Sequence, residues 1–80
     1  MKLQACLSEK YVLRIDLKTD GSCTIWVLGP CPIQDHHQYI AGTGDAQREA
    51  YSLGRKHFIC KGIAEIPVEF DDLKWVALVE

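Results

Sequence analysis

The chain has 80 residues, 48% hydrophobic and 25% charged, with nine Lys+Arg against eleven Asp+Glu for a formal net charge of −2. That length admits one domain over residues 1–80 and leaves no room for a deep active-site cleft beside a full core, since a chain this size buries only ~60% of the surface its unfolded form exposes. The slightly acidic balance lacks the global electrostatic footprint of a nucleic-acid binder, and the apolar runs are too short to span a bilayer.

Residues 2–7 place Leu3, Ala5 and Leu7 on one side and read as a short extra strand or as the start of the next one, with Ser8, Glu9 and Lys10 as the turn or bulge between them. In residues 11–18, Tyr11, Leu13, Ile15 and Leu17 alternate with Arg14, Asp16 and Lys18, a period of two that marks a strand with one buried face. Thr19, Asp20, Gly21 and Ser22 follow, and Asp-Gly tolerates the positive φ of a tight hairpin. Residues 23–28, rich in β-branched and aromatic side chains, return as the second arm. Pro30 and Pro32 lack N–H donors and stop that strand. Residues 33–42 read as a polar loop, closing with a short third strand at 38–41.

Gly42, Thr43, Gly44 and Asp45 announce a helix, with Thr43 or Asp45 as its cap. Ala46, Ala50, Leu53, Gly54 and His57 form one stripe whose small residues let the helix lie close on a sheet, and Gly62 is its natural stop. In 63–70, Ala64, Ile66, Val68 and Phe70 alternate with Glu65 and Glu69, and Pro67 confines the segment to an edge or a loop. Asp71 and Asp72 make a turn. Residues 73–80 are apolar on both faces, which predicts a strand inside the sheet. The expected fold is two-layer α+β: an antiparallel sheet of three to four strands with one helix on one face, in the order β-β-(β)-α-β.

The four cysteines are Cys6, Cys23, Cys31 and Cys60. Residues 1–6 lack the apolar stretch of a signal peptide or lipoprotein leader, and Glu9 and Lys10 follow at once, so a reducing cytoplasm and free thiols are expected. Cys31, His36, His37 and Cys60 are ligand types that suit zinc, and a zinc-stapled adaptor is one reading. No Cys-x-x-Cys pair exists, and the plainer reading is a polar loop without metal or other cofactor. Cys60 falls near Lys56, His57 and Lys61 but at the C-terminal end of the helix, where the dipole opposes thiolate formation, so no catalysis is expected. Gly42, Thr43 and Gly44 before a helix lack the Walker and dinucleotide spacings, and Asp45 would repel a phosphate.

Arg48, Arg55, Lys56 and Lys61 give segment 43–63 four basic residues against two acidic ones, a face that either meets nucleic acid or is simply solvated. Segment 64–80 holds Lys74 against Glu65, Glu69, Asp71, Asp72 and Glu80. Such an acidic third suits a partner protein with a basic surface, joined by charge and by strand addition at a sheet edge. Trp26 and Trp75 lie in strands, as core or as anchors.

The run 11–18, Asp20-Gly21, 23–28, Pro30-Cys31 and Gly42-Thr43-Gly44-Asp45 with Ala46 and Ala50 resembles the HicB-type antitoxin domain over residues 11–60. The resemblance implies a partial ribonuclease-H-like α+β sheet and neutralisation of a small basic messenger-RNA-cleaving toxin. The corner here reads Gly29-Pro30-Cys31-Pro32 instead of Pro-Gly-Cys, and the stretch from Cys31 to Gly42 is longer than the family's. Small phage inhibitors of bacterial defence, anti-CRISPR proteins among them, share the layout. The expectation is a non-enzymatic cytoplasmic protein that inhibits or neutralises a partner through Glu65, Glu69, Asp71 and Asp72. A nucleic-acid module is the alternative, a homodimer is an arrangement open to it, and no membrane is involved.

Overall fold

The computed structural model of the protein describes residues 1–79. Five strands form one antiparallel sheet: β1 Lys2–Cys6, β2 Val12–Leu17, β3 Cys23–Leu28, β4 Ile33–His37 and β5 Val76–Ala77, in the spatial order β4-β3-β2-β1-β5. One helix, α1 Thr43–Lys61, packs on one face against β2 and β3. The class is the expected two-layer α+β, with five strands where three to four were read.

The hairpin β2–β3 forms as its periodicity demands, from Val12 opposite Leu28 to Leu17 opposite Cys23. Gly21 takes φ +91°, which a side chain would strain, and the Asp20 carboxylate accepts the Ser22 N–H at 2.9 Å and its hydroxyl at 2.7 Å. Those two donors hold the Asp20 carboxyl below the ordinary carboxylate range. Residues of period two in β1, β2 and β3 (Leu3, Ala5, Leu13, Ile15, Cys23, Ile25, Val27) turn to the helix and are buried. Burial pushes the Cys23 thiol above its usual range.

The helix meets them with Ala46, Ala50, Gly54 and Phe58. A Cβ at Gly54 would lie 2.6 Å from Leu7 Cδ2 and 3.2 Å from Leu13 Cδ2, so this glycine lets the helix backbone rest directly on the sheet. Gly62 ends α1 in the left-handed region, φ 64°, as expected. The N-terminus differs from expectation. Gly42 is the cap residue without a side-chain cap, Thr43 Oγ1 reaches Met1 Sδ at 3.7 Å, and Asp45 pairs with Arg48 at 3.3 Å.

Two strand assignments change. The third strand expected at 38–41 lies instead at Ile33–His37, immediately after Pro32, where it extends the ladder of β3 from Val27 opposite Ile33 to Cys23 opposite His37. An edge strand needs only a thin apolar side, which Ile33 supplies, so its polar composition is no obstacle. The final strand is not interior: β5 is two exposed residues at the rim, paired with β1. Leu73 is buried and Trp75 packs on the core margin, which consumes the apolar residues that a central strand would have used. Glu80 lies outside the described residues.

Candidate functional site

Beyond Gly62 the chain runs past the β1–β2 turn without helix or strand, bending at Glu65, to a single 3₁₀ turn. Two long-range hydrogen bonds pin it: Lys10 N–H donates to Glu65 Oε1 at 3.1 Å, and Val68 N–H donates to the Leu7 carbonyl at 2.9 Å. Between them Pro67 removes a donor and disfavours helix at Ile66. From 63 to 68 the residues alternate between half-buried and exposed: Ile63, Glu65 and Pro67 face the protein, and Ala64, Ile66 and Val68 face solvent.

The sequence sets Ala64, Ile66, Val68 and Phe70 against Glu65 and Glu69 and leaves open which set faces inward; the structure decides it. Phe70 turns in, its ring edge-on to Tyr51 at 5.6 Å. Ile66 is 87% exposed and Val68 38%, while Glu65 lies half-buried on the Lys10 amide. Along 63–68 inner and outer side chains take turns, with Glu65 held on the Lys10 amide and Ile66 in solvent.

Exposed acidic residues follow this apolar row along the chain. Glu69 precedes a single 3₁₀ turn, Phe70–Asp72, on which Asp71 and Asp72 are exposed. On the helix side Ile59 is 76% exposed. Glu65 separates two shallow depressions. One, of about 180 Å³, is bounded by Arg55, Phe58, Ile59, Ile63 and Pro67, and the other, of about 320 Å³, by Ser8, Glu9, Ala64 and Ile66. Apolar residues beside charged ones have the anatomy of a protein interface. Ile59 and Ile66 were missed from sequence because their exposure is a tertiary fact; Ile-Pro inside an acidic run was the available signal.

Arg48 is paired with Asp45, Arg55 lies 5.9 Å over the Tyr51 ring, and Lys56 and Lys61 are exposed along the helix and in its last turn. Among the described residues no three of His, Cys, Asp and Glu could hold a metal ion. The set Cys31, His36, His37 and Cys60 is dispersed: His36 Nδ1 meets Thr24 Oγ1 at 3.1 Å, His37 Nε2 lies 3.2 Å from Asp35 Oδ2, and Cys60 is exposed on the helix. Cys31 contributes its carbonyl, 2.6 Å from Nε2 of the buried His57, which makes that ring nitrogen the donor and His57 a satisfied core residue. Trp26 is half-buried on the uncovered sheet face, its indole N–H donating to Gln34 Oε1 at 3.0 Å. No helix among the described residues is long and apolar enough to cross a membrane. Compared with known proteins, the chain matches no family model, no curated protein and no solved structure.

Proposed function

We propose that this chain is a small non-enzymatic protein that binds a partner protein with a basic surface and, by covering it, inhibits or neutralises it. One observation carries the reading: the pinned segment 63–72 turns Ile66 and Val68 to solvent beside the exposed Glu69, Asp71 and Asp72, with Glu65 held on the Lys10 amide. A monomer gains nothing by exposing Ile66 there, whereas a partner that covered it would gain ~1.5–3 kcal/mol, roughly a tenfold to hundredfold in affinity. The acidic residues would steer a basic partner and fix its orientation more than they would add affinity. The resemblance to the HicB-type domain supports the same reading, because its members neutralise a small basic toxin.

The test begins with recovery of partners on the immobilised wild-type chain in parallel with Ile66→Asp. Affinity for the recovered protein is then measured for both chains and for a variant with Glu65, Glu69, Asp71 and Asp72 reversed to Lys. Ile66→Asp should leave the melting temperature unchanged and weaken binding tenfold or more. Charge reversal should weaken it and flatten its salt dependence. Equal affinity for all three chains would refute the assignment.

A further inference from the structure

β4 is the outer strand of the sheet, and its far side is open. The amide N–H of His36 is outside the ladder to β3: it donates to the Oδ1 of its neighbour Asp35 at 3.1 Å. In an antiparallel ladder inward and outward backbone groups alternate, so His36 and Gln34 point their N–H and C=O groups off the sheet. The opposite rim is the two-residue β5, so β4 is the longer edge on which another strand can build. The acidic residues of segment 63–72 belong to the side of β1, three strand spacings or roughly 14 Å away. The edge and the acidic segment are therefore separate surfaces.

The space beside this edge is specific. Ile33, Asp35 and His37 lie on the helix side of β4, in register with the buried Val27, Ile25 and Cys23. A groove of about 300 Å³ runs between that side and the first turns of α1, lined by His37, Tyr39, Asp45, Arg48 and Glu49. Tyr39 is exposed along it. Arg48 is paired with Asp45, which leaves Glu49 as the groove carboxylate without an ion-pair partner, while Asp35 on β4 accepts the His36 N–H and lies 3.2 Å from His37 Nε2.

We propose that the β4 edge accepts an antiparallel extended peptide of a partner protein, with basic side chains at alternate positions facing the α1 groove. The register follows from the ladder. Peptide residues opposite Gln34 and His36 exchange main-chain hydrogen bonds with them, and their side chains lie on the uncovered sheet face. Peptide residues opposite Asp35 and His37 form the closer non-hydrogen-bonded pairs, and their side chains enter the groove, where Lys or Arg meets Asp35 and Glu49. Asp35 has two roles in turn. On the empty edge its carboxylate accepts the His36 N–H and lies against the His37 ring, and when a strand arrives it yields both and turns to the incoming cation.

The probe is a fluorescein-labelled ten-residue peptide alternating Lys and Val, titrated into the full chain and read by anisotropy and by amide shifts. Binding should shift the amides of Gln34 and His36. N-methylation at the Val positions, which carry the main-chain bonds, should weaken binding at least tenfold, and N-methylation at the Lys positions should be tolerated. A peptide alternating Glu and Val should not bind. His36→Pro removes an outward N–H without touching the β3 ladder and should weaken binding as strongly; Glu49→Lys, on an exposed helix position, does so severalfold without that backbone risk. Ile66→Asp should leave this binding unchanged, which separates it from the patch on segment 63–72. Absence of binding, indifference to which positions are methylated, or loss through Ile66→Asp would overturn the proposal.

Discussion

Gly54→Ala pits two known effects against each other. In an exposed helix interior, Ala is better than Gly by roughly 1 kcal/mol. Here the added methyl would stand 2.6 Å from Leu7 Cδ2 and 3.2 Å from Leu13 Cδ2. The near atoms end flexible side chains, but Leu7 and Leu13 are fully buried and have little free space into which to turn. Overpacking a filled core costs about 1–3 kcal/mol, so the net effect should be a loss of ~1 kcal/mol. In a domain of this size that lowers the melting temperature by roughly 4–8 °C. Leu7→Val removes the contacting Cδ2, and in that background Gly54→Ala should recover its helix preference and stabilise. The expected signature is a change of sign, with a coupling of about 2 kcal/mol between the two positions. Urea denaturation of the four chains measures it. If Gly54→Ala stabilises both backgrounds equally, the helix does not rest on Leu7 and the packing argument fails.

Cys6 and Cys60 should react quickly with a thiol reagent under native conditions, whereas Cys23, buried and with its thiol pushed up, should react only as the chain unfolds. Asp20 has a lowered folded pKa, so its contribution is present above the unfolded carboxylate range and fades as pH falls through the folded value; the melting curves of wild type and Asp20→Ala should differ at neutral pH and converge in acid. With Arg48 paired to Asp45 and Arg55 over the Tyr51 ring, a gel shift with mixed RNA and DNA at physiological salt should show no retained band. With Cys31, His36, His37 and Cys60 dispersed, added zinc should leave the melting temperature unchanged, and a saturable rise at one equivalent would contradict the arrangement described.

Sequence reasoning succeeded where the relevant physics is local. The β2–β3 hairpin is legible because alternation and an Asp-Gly turn lie within a continuous stretch, and the α1 stripe is legible because Ala46, Ala50 and Gly54 recur on one face and Gly62 stops it. β4 was missed because its side chains are mostly polar; its strand character comes from β3, which offers a ladder to whatever lies beside it. The acidic candidates were legible as a charged run. Their apolar companions were not, since the alternation of 63–70 does not say which side faces solvent until distant groups claim the inner positions.

Periodicity, turn chemistry and small-residue spacing were enough to determine the α+β class, the hairpin, and the helix with its sheet-facing stripe. The tertiary structure alone decided which way segment 63–68 faces and which sheet edge stays open. The reason is range. A strand's alternation or a helix's stripe is set by neighbours a few residues apart, but which way a segment such as 63–68 faces depends on which remote backbone groups it satisfies. Here the amide of Lys10 claims Glu65 and the carbonyl of Leu7 claims Val68, and those two bonds leave Ile66 facing solvent.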